Sequence, residues 1–158
     1  MEKGKLLEEK FRNWCKKAGI YCQRFYDARS MGRPDAPVRP ADFWLWISPK
    51  LIFVECKYVN GKSLPFDNFQ PSQLKAMMES DRYNIFYYSL IQLKDRIFLV
   101  DSYKIIEFIR KKERKSFPLK YLEKNSVEIR DLSGFKTVSY THLRAHETSL
   151  HLVCRLLL

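Results

Sequence analysis

Apolar side chains at Leu6, Leu7, Phe11, Trp14, Cys15 and Ala18 recur at helical spacing, and Gly19 follows the last of them. Residues 3–18 are therefore predicted to form an amphipathic helix stopped by that glycine. Residues 21–26 read as a strand. Phe43-Trp44-Leu45-Trp46-Ile47 and Leu51-Ile52-Phe53-Val54 are apolar runs joined by Ser48-Pro49-Lys50, the pattern of a β-hairpin or tight meander. Pro71 opens a second helix from its first turn. Strands follow at 85–91 and 96–100, joined by the polar turn Gln92-Leu93-Lys94-Asp95. Asp101 or Ser102 caps a helix over 103–113, with Ile105, Ile106 and Ile109 inward, and 127–130 reads as an edge strand. The order predicts an α/β fold in two or three layers, with a mixed central β-sheet flanked by helices. Between the first strand and Asp42 lies a basic loop broken by glycine and proline, with no periodicity.

Charges interrupt this pattern at the ends of apolar runs. Asp42, in Pro40-Ala41-Asp42-Phe43, opens one run, and Glu55 and Lys57, in Val54-Glu55-Cys56-Lys57, close the next. Residues i and i+2 of a strand share a face, so Glu55 and Lys57 point one way and Cys56 the other. Two acids on neighbouring strands beside a lysine suit a divalent metal held against a phosphate. Hard oxygen ligands bind Mg²⁺, the metal lowers the pKa of its water, and the lysine orients that water or stabilises the anionic transition state. The bland account of Glu-x-Lys on a strand is a charge pair of about a few tenths of a kcal/mol. Glu8, near the edge of the first helix's apolar face, and Gln73, in the first turn of the second helix, add polar groups to the functional reading. Asp35 is a rival metal aspartate, but Pro34 and Pro37 put it in a loop, so Asp42 is preferred.

Charge and chain ends narrow the choice. The 158 residues carry 29 Lys and Arg against 18 Asp and Glu, a net charge of +11 that suggests a polyanionic partner. Residues 138–158 are read as a non-native tail. Val138 to Thr148 match the translation of a sequencing-library adaptor, and Ser149-Leu150-His151 occupy the place of its variable index. The alternative is an apolar C-terminal helix. Without the tail, two arginines and one glutamate go, leaving +10 on residues 1–137, the size of a single domain with one core. All three histidines and Cys154 lie in the tail, so Cys–His catalysis is excluded from the rest. Cys15, Cys22 and Cys56 form no Cys-x-x-Cys pair and read as small apolar residues of a reduced, cytoplasmic protein. No apolar run approaches the roughly 18–20 residues of a membrane span, and no signal peptide opens the chain.

The series Gly4…Leu7-Glu8, Asp42, Glu55-Cys56-Lys57, Ser63-Leu64-Pro65-Phe66…Asn68-Phe69…Gln73 resembles the PD-(D/E)xK nuclease superfamily, and within it the RecU-type Holliday junction resolvases. The resemblance covers about residues 4–80. It implies a restriction-endonuclease-like core and a metal-dependent DNA endonuclease of recombination and repair. Asp42 and Glu55, with the backbone carbonyl of Cys56, would bind Mg²⁺ or Mn²⁺. Lys57 would position the attacking water, Glu8 would assist the metal shell, and Gln73 would line the site. The product would carry a 5′-phosphate, and the partner would be branched DNA bound by a homodimer. RecU-type enzymes carry a longer insertion ahead of the aspartate, where this chain has only the loop 27–41.

Two other classes compete. One is an inactive or non-junction binding module of the same fold, using Arg29, Arg33, Arg39, Lys50 and Lys62 on phosphates. Intact Asp42, Glu55 and Lys57 argue against it. The other is an RNA-binding protein stacking Tyr87, Tyr88, Phe98 and Phe108 on bases. Those rings fall at apolar-face positions, which makes them core residues.

Overall fold

The first helix, α1 (Lys3–Ala18), buries Leu7, Phe11, Trp14 and Cys15 along one stripe. Gly19, at φ +71°, ends it: Ile20 N–H reaches the Cys15 carbonyl at 2.9 Å and Gly19 N–H the Lys16 carbonyl at 3.2 Å. This left-handed closing turn is one that glycine adopts without strain. The structure is a computed structural model, and it describes residues 3–26, 32, 33, 35, 38–47, 50–83, 85–111 and 114–130. The proposed boundary at 137/138 and the tail behind it lie outside the described residues.

The alternating apolar runs form a meander of β1 (Tyr21–Arg24), β2 (Phe43–Ile47) and β3 (Lys50–Val59), all antiparallel. Helix α2 (Pro71–Arg82) carries the chain over to β5 (Phe86–Leu93), which pairs with β3 in parallel. Then β6 (Arg96–Asp101) and β8 (Val127–Ile129) add antiparallel, completing a six-stranded mixed sheet in the order β1-β2-β3-β5-β6-β8. Asp101 caps α3 (Ser102–Arg110) by accepting from Tyr103 N–H at 2.8 Å, as its residue type predicts. Arg96 ties the edge together through ion pairs with Glu123 and Glu128.

Each face of the sheet has its own core. On one, α1 packs against Phe43, Leu45, Ile52, Val54 and Leu90. On the other, α2 and α3 meet Tyr87, Ile91, Phe98, Val100 and Ile105. Helices thus lie on both faces of the sheet, and Glu55, in the middle of β3, is held away from water.

Three short elements had no sequence signal: β4 (Ser63–Pro65), β7 (Ser116–Pro118) and α4 (Leu119–Asn125). The first two pair into a separate two-stranded sheet. Strand β1 ends at Arg24 rather than 26, and α3 spans 102–110 rather than 103–113. β7 delivers Phe117, fully buried, into a group of rings with Phe66 at 4.7 Å, Phe108 at 5.1 Å and Tyr121 at 5.9 Å. Phe117→Ala should cost about 3–5 kcal/mol of stability, because the transfer term and the cavity left behind add. Urea denaturation checks this; a loss under about 1 kcal/mol would mean the small sheet does not pin the domain.

Candidate active site

Asp42 immediately precedes β2, and the register that pairs Phe43 with Val54 puts it opposite Glu55. Its position is fixed from three sides. Tyr87 donates its hydroxyl to the Pro40 carbonyl at 2.7 Å, and Phe25 N–H donates to the Asp42 carbonyl at 2.9 Å. Cys56 N–H donates to Asp42 Oδ2 at 2.8 Å, tying the carboxylate to the backbone of β3. Arg39 meets the other oxygen, Oδ1, at 3.1 Å.

Glu55 and Lys57 share the face that α2 covers, as their spacing requires. Lys57 Nζ lies 2.8 Å from Glu55 Oε1 and 2.9 Å from Gln73 Oε1, and it sits over the Phe69 ring at 5.2 Å. Gln73 Nε2 donates to Glu55 Oε1 at 2.5 Å. Gln73 Oε1 also accepts from Gln70 N–H at 2.9 Å. That contact is the back-reach of a helix capping box, with Gln70 ahead of Pro71 and Gln73 two positions later. One amide thus starts the helix and closes the Glu55–Lys57 pair. Its orientation follows from the partners, since flipping it would turn its NH₂ group toward Lys57 and a backbone N–H.

Glu55 Oε2 is buried and has no hydrogen-bond partner among the described residues. Burial, and then the charge of Asp42, push the Glu55 carboxyl up to about 7, against the opposing pull of Lys57. Glu8 ion-pairs with Arg24 at 2.8 Å, and burial followed by the Asp42 charge raises its carboxyl too. Asp42 therefore sits against two further acids, Glu55 and Glu8, and both it and Glu55 are buried. A hard divalent cation fits such a donor set, because it would satisfy the orphaned oxygen and cancel the mutual repulsion. No group of three His, Cys, Asp or Glu among the described residues is arranged to hold a metal by itself. A cation here would complete its shell with water, backbone oxygen or substrate phosphate, which is the habit of Mg²⁺.

The described structure brings Asp42, Glu55, Lys57 and Gln73 together, with Glu8 in electrostatic reach of Asp42. Asp35 is exposed, apart from the buried Asp42. Arg39 is half-buried on Asp42, Arg33 and Lys62 are exposed, and Arg29 lies outside the described residues. Ser89 was not expected. It pairs with Glu55 across the parallel strands, is fully buried, and its Oγ has no hydrogen-bond partner among the described residues. Only the β3–β5 register reveals it, and that pairing is nonlocal.

The sequence matches the family described as Recombination protein U, RecU, over residues 40–145, which is more than half of the chain. The chain belongs to the RecU family. It is accordingly a Holliday-junction-resolvase-like nuclease of recombination that binds DNA. No curated protein sequence matches it. Among solved structures it is similar to Hjc of Archaeoglobus fulgidus, a Holliday junction resolvase from an archaeal hyperthermophile. The TM-score is 0.53 at 14% identity, covering 77% of this chain and 93% of that one. That likeness shows the fold, a restriction-endonuclease-like core of mixed sheet between helices. Among the described residues no helix is long and apolar enough to cross a membrane.

Proposed function

We propose that this RecU-family chain cleaves branched DNA by metal-dependent phosphodiester hydrolysis, with Asp42, Glu55 and the backbone carbonyl of Cys56 holding Mg²⁺ or Mn²⁺. The observation that carries this reading is Glu55, a carboxylate buried with one oxygen unpaired and opposed by Asp42. When bound, the cation supplies charge neutralisation for the phosphate and a more acidic water.

The side chains divide the remaining work. Lys57 Nζ donates to the attacking water and to the charge that builds on the phosphorus oxygens. Gln73 holds Lys57 in place through its carbonyl oxygen. Glu8, tethered by Arg24 and within electrostatic reach of Asp42, would assist by ordering water beside that carboxylate. Water attacks phosphorus in line with the departing 3′-oxygen, the P–O3′ bond breaks, and the products are a 3′-hydroxyl and a 5′-phosphate. Arg29, Arg33, Arg39 and Lys62 would take flanking phosphates, and a homodimer would engage two strands of one junction. The three free thiols among the described residues suit a reduced cytoplasm.

Substrate preference is tested with labelled four-way junction, linear duplex and single strand, each with and without metal. Cutting of the junction at least about tenfold faster than linear duplex is expected. Equal rates would remove the junction preference and leave the nuclease.

A further inference from the structure

The site occupies only one end of its sheet face, and the rest of that face carries aromatic rings. Asp42, Trp44 and Trp46 stand at i, i+2 and i+4, so both tryptophans lie on the face bearing Glu55 and Lys57. The register sets Trp44 between Gln23 and Phe53, and Trp46 between Tyr21 and Leu51. Tyr21 and Trp44 pack ring to ring at 5.4 Å. Across the sheet, α1 seals the opposite side of these strands. On this side α2 packs on β5 and α3 on β5 and β6, which leaves Tyr21 55% and Trp46 48% exposed.

The geometry points to a stacking platform: Tyr21, Trp44 and Trp46 take unpaired bases of the DNA strand whose phosphates pass the carboxylate site. This rests on the nuclease reading of that site and adds what lies beside the scissile phosphate. Three observations select DNA as the occupant. The face is continuous with the site, and its ring positions repeat about every 7 Å along β2, a step comparable to that between splayed nucleotides. Beyond Asp42 and Glu55, the strands β1, β2 and β3 put no acid on it. The chain carries a net charge of +11, which attracts a polyanion. Aromatic planes accept any base, so the platform would grip single-stranded segments without reading sequence.

The remaining tryptophan, Trp14, lies on α1 and is buried in the core between that helix and the sheet, out of reach of an added base, so quenching on binding reports on Trp44 and Trp46. The test titrates the full chain with a twelve-residue oligothymidylate in EDTA, where no cutting is required. Quenching is expected. Trp46→Ala should weaken binding about tenfold and Trp46→Phe should restore most of it, a magnitude typical of one base stacked on one ring. The slope of log affinity against log salt should stay unchanged, because no phosphate contact is lost. Tyr21→Ala serves as an independent second variant, with circular dichroism confirming that each is folded. Absence of quenching, or wild-type affinity in both alanine variants, would overturn the proposal. So would a Trp46→Ala protein whose sedimented mass falls while its oligonucleotide affinity holds, since the face would then join two copies. A chain that quenches and never cuts any DNA would instead defeat the nuclease reading.

Discussion

Glu55→Gln should abolish cleavage and, in the metal-free protein at pH 8, raise stability by about 2 kcal/mol. Both effects come from one feature. Glu55 is 2% exposed, keeps an unpaired oxygen, and faces Asp42, so its carboxyl titrates at about 7 rather than at the ordinary 4.5. The folded protein therefore holds this proton more tightly than the unfolded chain does. Stability must fall as pH rises from about 4.5 to about 7, and the full penalty persists above that. Glutamine keeps the hydrogen bond to Gln73 and removes the charge, so the variant should show no such fall. Part of the gain is offset because Lys57 loses its carboxylate partner. Urea midpoints in EDTA at pH 5 and pH 8 measure this directly. A wild-type protein equally stable at both, by that measure, would mean Glu55 carries no strain. Added Mg²⁺ should restore wild-type stability at pH 8 and leave Glu55→Gln unmoved, since the cation needs the carboxylate.

Lys57→Ala should lower the rate of bound-substrate cleavage by about 10²- to 10³-fold, the usual cost of removing one preorganised donor to a developing anion. Binding of the junction in EDTA should change little, because Lys57 is 13% exposed and committed to Glu55 and Gln73. The change also takes away the positive charge that holds the Glu55 carboxyl down. The carboxyl should then rise further, and the pH at which metal stabilises the protein should move up with it. A purely structural lysine would lower stability without shifting that pH. Single-turnover rates at saturating metal, paired with metal-induced melting shifts across pH 6–9, separate the two roles.

The site was legible because its signals are local. Asp42 opening an apolar run, and Glu55 and Lys57 ending the next, are charges placed where a buried strand tolerates none without purpose. Gln73 was visible through Pro71, which marks a helix start and hence the first turn that faces the site. The helix stop at Gly19 and the Asp101 cap were likewise written in single residues. What the sequence hid was nonlocal or too short. β4 and β7 are three residues each and contain proline, so they carry no period to read. Tyr87 reads as a core position and Ser89 gives no signal, and only the parallel register with β3 brings them to the Pro40–Asp42 turn and to Glu55. Trp44 and Trp46 belong to an apolar run of the expected hairpin, and the alternation of that strand sends Phe43 and Leu45 to α1 while the tryptophans take the other face.

The most direct test of a metal-dependent nuclease centred on Asp42, Glu55 and Lys57 is one cleavage assay. An end-labelled four-way junction is incubated with the full chain in Mg²⁺, and in EDTA, and the nicked product is offered to DNA ligase. Cutting in Mg²⁺ alone, with nicks that ligase reseals because they carry a 5′-phosphate, is the predicted result. No cutting with either Mg²⁺ or Mn²⁺, or cutting that persists in EDTA, would contradict it.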